Sequence, residues 1–113
     1  MSDITPELVL AALASHIGAG NGIGVRALTA RVTGRDSTPA AERSVRSAIN
    51  ELRRAGHHVC AHPSTGYFIA RTPEELDRTC EYLHDRAMCS LEQIAAMKRI
   101  SVPDLRGQLH LPT

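Results

Sequence analysis

The sequence predicts a mainly α-helical fold with one small β-hairpin, and three observations carry that prediction. Apolar residues recur at helical spacing in four segments, each opened by a Thr-Pro pair or a glycine. Two short stretches rich in apolar residues flank a turn that ends in glycine, which is typical of a hairpin. The 113 residues contain no Trp, one Phe and two Tyr, so the core must be aliphatic.

The first two helices are marked by their ends. Thr5 is a good N-cap and Pro6 suits the first helical position, which predicts a helix over residues 6–17. The glycine-rich stretch 18–22 breaks it, and a second helix is predicted over 25–33 with a glycine behind it. The buried side of the first helix is expected to consist of Leu8, Ala11, Leu13 and Ile17.

The third helix is predicted to begin at the Thr38 cap, with Pro39 in its first turn, and to run to Ala55 before Gly56 ends it. Helical spacing divides its residues into two groups. The inner stripe consists of Ala41, Val45, Ala48, Ile49 and Leu52. The opposite side and its flanks carry Arg43, Arg46, Ser47, Asn50, Arg53 and Arg54.

The hairpin is predicted from strands over 57–61 and 67–71, with Ile23 as a further short strand. Thr72 and Glu75 then form a capping box that opens a fourth helix. This helix either continues to Arg99 or breaks near residue 89, and a short last helix is predicted over 104–109. Its apolar stripe is expected either to pack as core or to form a two-fold dimer contact, and consists of Leu76, Cys80, Leu83 and Ala87.

Positive charge is gathered in the middle of the chain. Residues 21–71 carry eight arginines against three acids, whereas 1–20 and 72–113 each have a net charge of −2. Arginine binds phosphates and guanine edges through two parallel hydrogen bonds, which lysine cannot match. The overall charge of +1 therefore hides a strongly basic segment, which favours a polyanionic partner. The alternative is a solvated helix whose Glu42 and Glu51 pair with neighbouring arginines.

Residues 44–56 read SVRSAINELRRAG, and Gly66-Tyr67 follow at the end of the turn. Across residues 4–71, this order resembles the winged helix-turn-helix of biotin-operon-type repressors and small phage-encoded regulators. Their pattern is Thr-Val-Arg-Arg-x-Ile-x-x-Leu-Arg-x-x-Gly, followed by a hairpin ending in Gly-Tyr. Here Gly34 stands eleven residues before Val45 instead of about seven, so the third helix is expected to begin about one turn early.

The resemblance implies a winged helix-turn-helix over 1–71 and a C-terminal helical extension over 72–113. It implies a transcriptional regulator, such as a repressor, of phage or bacterial origin that binds duplex DNA as a homodimer. The expected base contacts are Arg43, Arg46, Ser47 and Asn50. The expected phosphate contacts are Arg26, Arg31, Arg35, Arg53, Arg54, Ser64, Thr65 and Arg71. The alternative is a winged-helix module that binds or inhibits a host protein without contacting DNA.

Residues 91–95 and 100–105 also resemble the two-helix core of repressor-type helix-turn-helix units. We interpret this segment as a tail that folds onto a neighbour or partner, with a second DNA contact as the minor alternative. Arg99 stands where those units prefer glycine.

The remaining chemistry points away from catalysis and metal binding. The histidine-rich segment 57–62 lacks the usual paired-ligand spacing, so no metal and no cofactor are expected. No grouping of nucleophile, base and acid is visible, which predicts a protein that is not an enzyme. Three cysteines without ligand spacing and an N-terminus unlike a signal peptide predict a cytoplasmic protein. No apolar run approaches a membrane span.

Overall fold

A computed structural model describes residues 4–99. Within them the fold is mainly helical with a single two-stranded antiparallel hairpin, which confirms the predicted fold class. A short 3-10 turn, Ala19–Asn21, lies between the first two helices. The main elements are α1 (Pro6–Leu13), α2 (Val25–Thr33), α3 (Pro39–Arg54), β1 (Val59–His62), β2 (Gly66–Ile69) and α4 (Pro73–Lys98).

The predicted helix caps are present. The Thr5 hydroxyl accepts a hydrogen bond from the amide of Leu8 at 3.2 Å, and Thr38 accepts one from Ala41 at 3.1 Å. Each satisfies an amide that the first helical turn leaves without an intrahelical partner. Helix α3 therefore has almost the bounds that the sequence predicts, and α2, which has no side-chain cap at its start, ends as predicted before Gly34.

The prediction for the end of α1 is wrong. The helix stops at Leu13, four residues before Ile17. Residues 16–18 instead lie parallel to β2, where the amide of Ile69 donates to His16 and the amide of Gly18 donates to Ile69. The helix therefore ends early because the backbone that follows it is paired with a strand far along the chain.

The early end of α1 also changes its buried side. Leu13 is buried as predicted, but Leu8 is 47% exposed, Ile17 is 44% exposed and Ala11 is exposed too. Val9 takes the inner position instead and is fully buried.

The core is aliphatic and lies among α1, α2 and α3, with residues of the hairpin closing one side. Four of the five predicted inner residues of α3 are buried, and Ala41 is half-buried. The fully or almost fully buried residues of this cluster are Val9, Leu13, Leu28, Val45, Ile49 and Val59.

The hairpin is shifted relative to its prediction. Val59 pairs with Ile69 and His62 with Gly66, so the strands cover 59–62 and 66–69 instead of 57–61 and 67–71. The first strand begins late because the amide of His57 donates to Leu52 at the end of α3. The second ends early because the amide of Arg71 donates to the carboxylate of Glu75.

Ile23, where a further short strand was predicted, forms an isolated antiparallel bridge instead, through two backbone hydrogen bonds to Tyr67 of 2.8 and 2.7 Å. This crossing depends on glycine. Gly66 has φ of +96°, and a Cβ there would collide with the Ile23 carbonyl. A Cβ on Gly22 would lie 2.6 Å from the carbonyl oxygen of Thr65.

The chain divides into two compact units, the first ending at Thr79 and the second beginning at Cys80, whereas the sequence predicted a boundary at 71/72. In the first unit, the start of α4 meets β1, since the amide of Ala61 donates to the Thr79 hydroxyl at 3.4 Å. The helix itself is continuous from Pro73 to Lys98, which settles the alternative of a break near residue 89.

The apolar stripe predicted on the fourth helix is only partly covered. Leu76 is half-buried, whereas Cys80, Leu83 and Ala87 are exposed. Core packing therefore does not account for those three residues. The predicted helix over 104–109 lies outside the described residues, as does the part of the helix-turn-helix-like segment from 100 to 105. No helix of residues 4–99 combines the length and apolar character needed to cross a membrane.

Candidate nucleic-acid interface

The outer face of α3 carries all four residues predicted to contact bases. Burial of the inner stripe turns the opposite side of the helix to solvent. Many of these residues follow one another at intervals of three or four, so they share a face. The exposed residues of this face, the α3 outer face from here on, are Arg43, Arg46, Ser47, Asn50 and Arg54.

Most of the α3 outer face has no partner among the described residues. The side chains of Arg43, Asn50 and Arg54 make no hydrogen bond or ion pair within residues 4–99. Arg46 lies 3.9 Å from a carboxylate oxygen of Glu42, at the limit of an ion pair. An exposed pair of this kind contributes about 0–1 kcal/mol, so it holds Arg46 only weakly.

Glu42 is directed elsewhere. Its second carboxylate oxygen accepts a hydrogen bond of 2.6 Å from the Ser37 hydroxyl, and its side chain is half-buried at the start of α3. A carboxylate in the first helical turn is also stabilised by the helix dipole. Glu42 thus contributes mainly to the helix start.

An open groove of about 350 Å³ borders the α3 outer face on the side of α1. Because Arg43 and Ser47 line it, both side chains stand next to free space. The groove mixes apolar and polar walls, which are Ile4, Pro6, Ala40, Arg43, Ser44, Ser47, Ala48 and Glu51.

The two adjacent arginines at the end of α3 differ. Arg53 is half-buried, and its Nε donates to the carbonyl of Val59 at 2.8 Å, which ties the helix end to β1. Arg54 is exposed on the α3 outer face. Arg53 therefore has a structural contact in addition to any contact with a phosphate, whereas Arg54 has none among the described residues.

Arg31, on α2, is held by a histidine. Its Nη1 lies 2.7 Å from Nε2 of His16, and Nδ1 of the same ring lies 2.8 Å from the carbonyl oxygen of Asn21. A carbonyl can only accept, so Nδ1 carries the hydrogen and Nε2 accepts from the arginine. The ring is thus neutral in this arrangement and fixes one guanidinium. Arg26 and Arg35, the other predicted phosphate ligands of this region, are exposed.

The hairpin side of the predicted site is more constrained. Thr65 is half-buried and its hydroxyl donates to the carbonyl of Ala19 at 2.6 Å, so its hydrogen is not available to a phosphate while that bond lasts. Ser64 is exposed at the turn, and its amide donates to Nδ1 of His62. Arg71, just beyond β2, is exposed.

Glu75 links three parts of the first unit. Its carboxylate accepts hydrogen bonds from the amides of Ala19 at 2.8 Å and of Arg71 at 2.7 Å. These two bonds, the one from Ala19 first, lower the pKa of Glu75. The capping box predicted the bond from its own amide to the Thr72 hydroxyl. No pattern in the sequence around Glu75 predicted that its carboxylate would contact Ala19, in the loop after α1.

The side chains of the histidine-rich segment 57–62 differ in exposure and contacts. His57 and His58 are exposed, Cys60 is buried, and His62 accepts the hydrogen bond from Ser64. In the part of the chain that the structure describes, no three His, Cys, Asp or Glu side chains are placed to hold a metal ion.

Fold and site together define a helical domain that presents an arginine-bearing helix face and a braced β-hairpin. Neither a family model nor a curated protein nor a solved structure matches this chain.

Proposed function

We propose that the protein binds duplex DNA sequence-specifically and acts as a transcriptional regulator, with α3 as the reading helix of a winged helix-turn-helix. The observation that carries this proposal is the α3 outer face. It is exposed, it has three arginines and an asparagine, and the Glu42 carboxylate beside Arg46 is held by the Ser37 hydroxyl.

The chemistry of this face suits the major groove of DNA. The groove is about 12 Å wide and admits a helix. Arginine donates two hydrogen bonds to guanine, and asparagine pairs with adenine, each with about 1–3 kcal/mol of discrimination against a wrong base. In this proposal Arg43, Arg46, Ser47 and Asn50 read bases, and Arg54 contacts a phosphate.

The other arginines position the protein on the duplex. Arg26, Arg31 and Arg35 belong to α2 and the turn behind it, and contacts to phosphate give affinity without sequence preference. Arg31 is ordered in advance by His16, so it loses less side-chain freedom on binding. Ser64 and Arg71 are suited to contact the backbone from the hairpin, which serves as the wing.

The decisive experiment is selection of bound sequences from random duplex DNA by the full chain. Enrichment of a defined motif is expected. For an enriched duplex, the logarithm of the affinity should fall linearly with the logarithm of salt concentration. Arg54→Ala should lower that slope by roughly 0.9 if one phosphate contact is lost. Arg78→Ala, which removes an exposed arginine from the acidic start of α4, is the matched control and should leave the slope unchanged.

Binding to an acidic protein surface is the second candidate function, and the groove beside α3 favours it. That groove is lined by the apolar Ile4 and Pro6 and by both Arg43 and Glu51, so it would suit an apolar side chain whose neighbouring carboxylate pairs with Arg43. No enrichment from random DNA, together with no salt-dependent binding to any duplex at low ionic strength, would favour this function over DNA binding.

The proposal requires no cofactor and no catalysis. It implies a cytoplasmic protein, whose three cysteines would stay reduced thiols.

A further inference from the structure

The middle of α4 has an uncovered surface, whereas Ala95 near its C-terminal end is buried. From Cys80 to Ser90 every residue except Met88 is exposed. Leu83 is 40% exposed and Tyr82 is 55% exposed. Isolated helices gain little stability from intrinsic propensity, and in proteins most of it comes from packing an apolar face. A helix that continues through this region therefore calls for a covering surface.

The apolar and small residues of this region follow a three-four spacing, which places them on one side of the helix. Tyr82 lies off that side, with the guanidinium of Arg86 5.8 Å from its ring centre. The residues of the stripe, called the α4 stripe below, are Cys80, Leu83, Ala87, Ser90, Ile94 and Met97. All of them are exposed except Ile94, which is half-buried.

Charge along α4 is segregated from end to end. Residues 74–85 contain five acids and one arginine, whereas 86–99 contain three bases and one acid. A second α4 in antiparallel orientation would set the basic end of each helix beside the acidic start of the other, and the helix dipoles would also oppose each other favourably. A parallel second helix would place like charges together. Residues 100–113 contain one acid and one arginine, so they offer no comparable complement.

We propose that a second copy of the chain packs antiparallel on the α4 stripe. The stripe then pairs Leu83 of one copy with Ala87 of the other, and Cys80 of one with Ser90 of the other. The large Leu83 side chain thus meets a small one across the contact, as a knob fits into a hole. Lys98 comes near Glu74 of the other copy at both ends. This inference does not rest on DNA binding, and it is tested without DNA.

The first test is the mass of the full chain in solution by sedimentation equilibrium over a range of concentrations. A dimer is expected that weakens as salt rises. Leu83→Asp should raise its dissociation constant roughly a hundredfold or more, because each dimer loses two buried leucines and gains two charges at the contact. Tyr82→Asp is the matched control, since it adds the same charge at an exposed apolar position beside the stripe, and it should leave the mass unchanged.

A monomeric wild-type chain at all concentrations would overturn the proposal, and so would equal effects of the two substitutions. Circular dichroism of both variants shows whether each remains folded. If Leu83→Asp unfolds the chain, Leu83→Ala provides the same comparison at smaller amplitude against Tyr82→Ala.

The second test concerns orientation and uses cysteine cross-linking in mild oxidant. In a Cys89→Ser chain, Cys80 is the exposed thiol of α4, since Cys60 is buried. An antiparallel pair keeps the two Cys80 residues apart, so no cross-linked dimer is expected. Adding Ser90→Cys should produce it, because position 90 then faces Cys80 of the other copy within disulfide reach. Cross-linking of the Cys89→Ser chain through Cys80 itself would indicate parallel helices and refute the orientation.

Discussion

Helices α3 and α4 begin in the same way and present opposite surfaces. Each opens with threonine and proline, and each has an apolar stripe at helical spacing. In α3 the stripe is buried against α1 and α2, and the surface left to solvent carries arginines. In α4 beyond Thr79 the stripe itself is exposed, and the acids are concentrated at the helix start. An amphipathic pattern therefore identifies a helix, whereas the side chains that remain exposed on it indicate the kind of partner it binds.

The largest expected difference in stability is between substitutions in the buried stripe of α3 and in the exposed stripe of α4. Ile49→Ala should destabilise the protein by about 2–5 kcal/mol, because Ile49 is almost fully buried and a cavity would remain. Leu83→Ala should cost less than about 1 kcal/mol at concentrations where the chain is monomeric, because the side chain is already partly solvated. Urea unfolding of dilute protein measures both. Similar losses for the two would mean that α4 has an intramolecular partner.

The next largest effect concerns DNA affinity and the polar residues of the α3 outer face. Arg46→Ala and Asn50→Ala should each reduce affinity for a selected DNA sequence by about 1–3 kcal/mol while leaving binding to random DNA nearly unchanged. Arg78→Ala, on the acidic start of α4, should change neither. Titration by fluorescence anisotropy against both duplexes gives the ratio of the affinities for selected and random DNA. A loss that is equal for selected and random DNA would assign these residues to the phosphate backbone.

A smaller effect is expected from the pair on α2. His16→Phe removes the acceptor for Arg31 and should reduce DNA affinity by less than about 1.5 kcal/mol, the net contribution of a typical hydrogen bond. Arg31→Ala should have the larger effect, and the double variant should lose no more than Arg31→Ala alone. Additive losses in this cycle would show that the histidine does not act through the arginine.

The smallest expected effect is a pH dependence. Because its pKa is lowered in the folded state, Glu75 contributes stability that is present above the ordinary value of 4.5 and is lost as pH falls through the lower folded value. Glu75→Gln should therefore flatten the acid side of a plot of Tm against pH. Glu74→Gln, an exposed neighbour on α4, is the control and should preserve the wild-type curve. Identical curves for all three proteins would remove Glu75 from the acid response.

Local signals predicted α3 well. Thr38, Pro39 and Gly56 lie at its ends, and the spacing of its apolar residues gave the correct buried side. The α3 outer face could then be predicted as the side opposite to the buried one. Exposure of the predicted base-contact residues is therefore a consequence of the pattern, whereas their contact with DNA remains a prediction.

Contacts between distant residues account for what the sequence did not predict. Helix α1 ends early because Ile17 and its neighbours pair with Ile69, and Val9 replaces Leu8 as the buried residue. The carboxylate of Glu75 reaches Ala19, 56 residues away. Neither contact is marked by a periodic or capping pattern in the sequence around the residues that form it. The exposure of Leu83 was likewise undecided, since a stripe looks the same in sequence whether it faces a core or a partner.

The crossing of Ile23 with Tyr67 has a consequence for the order of folding. Helix α2 packs on the two helices that adjoin it in the chain, whereas the crossing and the Ala19–Glu75 bond close longer stretches. Long closures cost more chain entropy and delay the contacts that require them. We expect the three helices to collapse first and the hairpin to lock last. Amide exchange at Ile23 and Tyr67 should then be faster than in the buried parts of the three helices, because contacts that form last can open while the rest of the domain stays folded.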